Sequence, residues 1–155
     1  MPCRTRWSMK IYLENKMKNT FQVHPVGWIL KKESGISIEI EPEYSDALLG
    51  LEAFSHILVV YWFHENDGPE NRNILRVHPR KNPQNPLTGV FATHAPVRPN
   101  LIAVSPCKIE SIRGNTIWID DIDARDGSPV LDIKCYLPEK KAIKDLKLPD
   151  WAYND

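Results

Sequence analysis

Thirteen of the 155 residues are proline, and they are spread through most of the chain. Each fixes φ and removes a backbone donor, so a long helix cannot run through such punctuation. Short strands that meet at rigid turns tolerate it. The most conspicuous instance is GVFATHAPVRPNLIAVS at 89–105, where two prolines interrupt an apolar run that carries no acidic group. A strand that breaks into a fixed loop and then resumes is the simplest account of that stretch.

A chain of 155 residues, 42% hydrophobic and 26% charged, suits one domain with a sizeable core and leaves no room for two. We expect a tail over 1–20, a domain over 21–140 and a second tail over 141–155. The opening segment MPCRTRWSMKIYLENKMKNT is basic and lacks the apolar core of a signal peptide. No apolar run is long enough to span a bilayer, so no membrane partner is expected. Cys3, Cys107 and Cys135 are far apart and odd in number. No Cys/His spacing suggests a metal, and the expected setting is a reducing cytoplasm.

Formal charge sums to zero, but it is unevenly distributed. Between Asn71 and Ile109 lie Arg72, Arg76, Arg80, Lys81, Arg98 and Lys108, with no Asp or Glu. Asp120, Asp121, Asp123, Asp126 and Asp132 follow, with Arg125 among them. Such separation suits a polyanion on one face and a cationic ligand beside it. A solvated surface with locally biased charge explains it equally simply.

Along the chain, QVHPVGWIL (22–30) reads as a first strand interrupted at His24-Pro25. ISIEIE (36–41) alternates with period two, as a half-buried strand does, and KKESG before it is a tight turn. In PEYSDALLGLEAF, Ser45 is placed to cap a short helix that Gly50 ends. ILVVYWF (57–63) is continuous enough to be buried on both faces. Further strands are expected at 74–77, 89–93, 101–112, 116–119 and 130–136, with at most weak helical turns in the tail. Many short strands with Pro/Gly turns predict a mainly β fold, a barrel or sandwich with minor helix.

Glycine-rich nucleotide loops, HExxH and GxSxG are all missing. The conspicuous polar groups sit instead at strand ends: His64-Glu65, His94 to Asn100, and Asp126 to Pro129. A histidine after an aromatic strand is ordinarily an edge residue, and DGSP is a good turn without any function. Arg98 between two prolines is harder to dismiss, because rigid flanks hold a guanidinium in place. A salt bridge to one of the aspartates accounts for it as well as a ligand contact does.

Together, GLEAFSHILVVYWFHE, GVFATHAPVRPNLIAVSPCKI and DARDGSPVLDIKCYLP resemble the TrmO (TsaA-like) family of S-adenosylmethionine-dependent methyltransferases. These act on N6-threonylcarbamoyladenosine in the tRNA anticodon loop. The resemblance covers about residues 25–138 in three ordered blocks. It implies a single-sheeted β-barrel with a few short helices, outside the Rossmann class, and a homodimer with sites near the subunit interface.

Carried over residue by residue, the resemblance puts contacts to S-adenosyl-L-methionine at His64, Glu65, His94, Val104, Asp126, Gly127, Ser128 and Pro129. Arg98 and Asn100 shape the pocket wall. Asp126 or Asp132 is the candidate base for the acceptor N–H. Arg72, Arg76, Arg80 and Lys81 become a candidate track for tRNA phosphates. The chain departs from the family pattern at His94, where Arg is usual, and at Leu101, Ala103 and Cys135. KKESG also stands where members carry a longer loop. Two alternatives therefore accompany tRNA methylation: methylation of another substrate such as a small metabolite, and donor binding without turnover.

Overall fold

A computed structural model of the chain describes residues 20–137 and 147–152, so the two expected tails fall mostly outside the described residues. Six antiparallel strands close into a barrel: β1 (Gly27–Lys32), β2 (Gly35–Ile40), β3 (His56–Trp62), β6 (Ile102–Arg113), β7 (Thr116–Ile119) and β8 (Pro129–Cys135). Their order around the barrel is β1-β2-β7-β6-β3-β8. Closure removes the exposed edges that an open sheet of such short strands would carry. Two further short strands, β4 (Arg76–Val77) and β5 (Thr88–Gly89), form a separate ribbon.

Period-two patterning decides what faces inward. Ile29, Ile38, Ile57, Val59, Ile117 and Val130 are fully buried and fill the barrel. Burying each such side chain contributes on the order of 2 kcal/mol. The long strand β6 serves two neighbours. It pairs with β3 from Ile102 to Lys108 and with β7 from Ile109 to Arg113, and a register shift at Ile109/Ser111 re-aims it between them.

Four expectations change. The first strand begins only at Gly27: Pro25 has no N–H to offer a ladder, although the Val26 N–H still bonds the Val130 carbonyl at 2.7 Å. Ser45 does not cap a helix. The helix is a 3₁₀ segment, Pro42–Leu48, with Pro42 leading it, and the Ser45 hydroxyl turns back onto the Pro42 carbonyl. Residues 89–93 do not form a strand either. Pairing stops at Gly89, and Val90–Ala92 is a 3₁₀ turn with Val90 buried and Phe91 exposed.

The fourth change concerns ILVVYWF, which is buried on one face only. Ile57, Val59 and Tyr61 point inward, whereas Leu58, Val60 and Trp62 remain half-buried on the outer wall.

After β7 the chain does not turn straight into β8. Residues 120–128 run along β6 and across the barrel rim, with Ile122 and Ala124 buried in the core. The Asp120 N–H bonds the Lys108 carbonyl at 3.2 Å, and the Gly127 N–H bonds Ile29 at 2.8 Å. Gly127 takes a φ of +73° to make the turn into β8, a conformation that favours glycine.

Candidate functional site

A cavity of about 180 Å³ opens where β3 and β6 meet this crossing segment. Its walls are Tyr61 and Phe63 from the end of β3, Ile102 to Ser105 from the start of β6, His94 and Arg98 from the broken strand, and Asp123 from the crossing. The mix of apolar wall and a few convergent polar groups is that of a small-molecule site. The cavity alone is smaller than the ~300 Å³ at which such pockets usually begin. Two of its lining residues have chain neighbours that also carry expected site groups: His64 follows Phe63, and 124–128 follow Asp123.

Those neighbours meet. The Ser128 hydroxyl lies 3.3 Å from His64 Nδ1, and the exposed Arg125 guanidinium lies 3.4 Å from the Glu65 carboxylate. Ser128 itself is buried. Thus the ends of two sequence blocks, 64 residues apart at this contact, meet.

The broken strand owes its shape to its own arginine. Arg98 Nη2 donates to the Val90 carbonyl at 2.7 Å and to the Thr93 carbonyl at 3.0 Å. It braces its own loop rather than pairing with an aspartate. A second arginine fixes the other end. Arg72, at the close of the one-turn helix α1 (Pro69–Arg72), donates to Asp67 at 2.8 and 3.0 Å and to the Pro99 carbonyl at 3.2 Å. Its guanidinium also stacks on Trp62, 5.3 Å from the ring centroid. The Trp62 indole donates to the other Asp67 oxygen at 3.0 Å. That bond and the Arg72 bonds hold the Asp67 carboxyl below its ordinary pKa.

The expected site residues therefore sort by position. His94, Arg98 and Val104 line the cavity. His64, Glu65 and the Asp126–Pro129 turn are not among its lining residues; they are joined to one another by the His64–Ser128 and Glu65–Arg125 contacts. Asp126 Oδ1 accepts the Lys31 backbone N–H at 2.8 Å, which ties the turn to β1. Asn100 is exposed, and its carbonyl accepts the Ile102 N–H at 2.8 Å as β6 begins. Asp132 is not brought to the cavity: it is exposed on β8, with Lys134 Nζ 2.8 Å away. Of the basic candidates, Arg76 is exposed on β4, and Arg80 and Lys81 form a turn in which both residues have a φ of 57°. Among the described residues no group of His, Cys, Asp and Glu is arranged to hold a metal, and no helix is long and apolar enough to cross a membrane.

Sequence reasoning missed Tyr61, Phe63, Ser105 and Asp123. Counting by twos from Ile57 through Val59 reaches Tyr61 and Phe63, so the interior alternation held the signal for those two. Tyr61 is almost fully buried, and its hydroxyl donates to the Asp123 carbonyl at 2.5 Å while lying 3.3 Å from Ser105 Oγ. Burial raises its pKa, so the hydroxyl keeps its proton and acts as a donor. Its ring meets Phe63 edge-on, with centroids 5.8 Å apart.

Residues 13–142 match the tRNA-methyltransferase O N-terminal domain family. The chain belongs to that family. A probable S-adenosyl-L-methionine-binding protein of Pyrococcus horikoshii is 52% identical over 120 residues, spanning 77% of this chain and 85% of that protein. The mouse (Mus musculus) tRNA (adenine(37)-N6)-methyltransferase is 39% identical over 107 residues, 69% of this chain and 24% of that enzyme. TrmO from Pseudomonas aeruginosa shares the fold, with a TM-score of 0.64 at 31% identity over 83% of this chain. This chain spans 61% of the length of that TrmO structure. The closed six-stranded barrel is therefore the TrmO N-terminal fold, as the sequence blocks implied.

Proposed function

We propose that this chain is an S-adenosylmethionine-dependent methyltransferase of tRNA, acting on N6 of threonylcarbamoyladenosine at the position beside the anticodon. One observation carries the reading. The three sequence blocks that resemble TrmO, far apart in the chain, all contribute residues to the lining of one cavity. The lining suits the cofactor: apolar Phe63, Ile102 and Val104 provide a slot for adenine, and the polar side chains of His94, Arg98 and Ser105 and the residue Asp123 border it.

When bound, S-adenosylmethionine supplies a methyl group activated by a sulfonium. The chain's own task is alignment and proton removal. Arg98 and Arg72 hold the loop that forms one wall, and the 120–128 crossing holds the other. Asp126, outside the lining but on the turn whose Ser128 meets His64, is the carboxylate to which we assign the acceptor proton; Asp132, paired with Lys134, is set aside. Arg76, Arg80 and Lys81 supply the phosphate-facing track. Arg72 belongs to the scaffold, bonded to Asp67 and Pro99 and stacked on Trp62.

The half-buried outer row Leu58, Val60 and Trp62 adjoins exposed Ile102 and Val104 on β6. We assign this apolar wall to a second copy of the chain, since it borders the cavity and leaves large side chains partly in water. The resulting homodimer would work in the cytoplasm, where its tRNA substrate resides.

Incubation with methyl-labelled donor and tRNA carrying or lacking threonylcarbamoyladenosine tests the reading. Label is expected only in the modified tRNA, and Asp126→Asn is expected to lower kcat with little change in KM. Donor binding without label in either tRNA would overturn this reading and leave the two alternatives, methylation of another substrate and donor binding without turnover.

A further inference from the structure

The charges around the cavity are unequal. Arg98 carries a fixed positive charge on one side, and Asp123 is the one acidic residue among the lining residues. A cationic ligand entering this cavity meets the fixed positive charge of Arg98, and Asp123 is the group placed to offset it. Asp126 and Asp132 do not line the cavity, and each has a polar partner elsewhere, the Lys31 N–H and Lys134 Nζ respectively.

The backbone at Asp123 is clamped from three sides. The Tyr61 hydroxyl donates to its carbonyl. Lys31 Nζ donates to the preceding Ile122 carbonyl at 2.7 Å. Ile122 and Ala124, on either side, are sunk in the core. With its neighbours buried and its own carbonyl bonded, the residue has little freedom except in its outward side chain. Ser105 Oγ, 3.3 Å from the Tyr61 hydroxyl, helps to orient that hydroxyl.

We propose that Asp123 is the residue that recognises the sulfonium charge of the methyl donor, and that Tyr61 is its positioning residue, acting through the Asp123 carbonyl. This rests on the reading of the cavity as the donor site. The pair also provides discrimination. S-adenosylhomocysteine, the product, is a neutral thioether at the same atom, so the carboxylate favours substrate over product and assists product release.

Calorimetric titration of the full chain with S-adenosylmethionine and with S-adenosylhomocysteine tests this. Asp123→Asn keeps the shape and removes the charge. It is expected to weaken S-adenosylmethionine binding about fivefold, the scale of one charge pair at a solvent-accessible rim, and to leave S-adenosylhomocysteine within about twofold. Tyr61→Phe is expected to narrow the same preference by a smaller factor. Equal weakening of both ligands, or of neither, by Asp123→Asn would overturn the assignment while leaving the donor site standing. Wild-type protein that binds neither ligand would overturn both. A measurement on the wild type alone serves as well: added salt should erode its preference for the charged ligand, and a salt-independent preference would count against Asp123.

Discussion

The two walls of the cavity are built on opposite plans. The 89–101 wall is held from within: Arg98 ties Val90 and Thr93 together, and Arg72 reaches in to Pro99. Its apolar contribution is slight, with Phe91 exposed and Val90 and Leu101 as its buried anchors. The 120–128 wall is held by the barrel, through buried Ile122 and Ala124 and through bonds to Ile29, Lys31, Tyr61 and Lys108. A loop braced by one side chain fails when that side chain is lost. A segment with many separate anchors loses one anchor at a time.

Removing Arg98 should therefore have the largest effect. Arg98→Ala leaves two carbonyls without their charged donor, and we expect a loss of about 2–3 kcal/mol by urea denaturation, together with the donor site. Arg98→Lys should recover little, since an ammonium cannot reproduce the guanidinium fork. Stability of Arg98→Ala within about 0.5 kcal/mol of wild type would mean that the two walls are not built differently.

The barrel-held wall should absorb a single loss more easily. Tyr61→Phe deletes the hydroxyl with its bond to the Asp123 carbonyl and its longer contact to Ser105 and keeps the ring, so unfolding should be easier by about 1–2 kcal/mol with the cavity intact. A cost equal to that of Arg98→Ala would show that the crossing depends on one anchor after all.

The third test turns on Asp67, whose carboxyl the Trp62 indole and Arg72 hold below its ordinary pKa of 3.8. A depressed folded-state pKa contributes stability that is present above the unfolded value and lost as pH falls through the folded one. Wild type should thus exceed Asp67→Asn at neutral pH, and the gap in thermal midpoint should close on acidification below the ordinary carboxylate range. The effect is small because both partners are partly exposed. A gap that persists in acid would assign it to packing.

Asp132→Asn should do least. The residue sits on the outer face of β8 beside Lys134, so methyl transfer should stay within about twofold, the range expected where no reacting group is touched. A large loss would return Asp132 to the site.

Several elements could be read by period alone. ISIEI and TIWI alternate cleanly and appear as β2 and β7 with nearly the expected bounds. The strand through 101–112 emerged as β6, and the three sequence blocks announced the barrel. ILVVYWF misled because an apolar outer row looks the same in sequence whether a partner or the chain's own core covers it. The 89–93 segment misled because a buried valine and an exposed phenylalanine in succession are compatible with a strand or a 3₁₀ turn. What chose the turn was Arg98, several residues later in the chain.

The sequence by itself determined that this chain is a proline-punctuated β-barrel of the TrmO kind, because alternation, turn residues and three long motifs are local properties. It also marked His64, His94, Arg98 and the DGSP turn as strand-end groups worth attention. It could not single out Asp123 among five aspartates within thirteen residues. Charge and spacing are alike for all of them. Only the closed barrel decided which lines the cavity, because the path of 120–128 over the barrel buries Ile122 and Ala124 and leaves the residue between them exposed, its carbonyl bonded by the hydroxyl of a tyrosine 62 positions earlier.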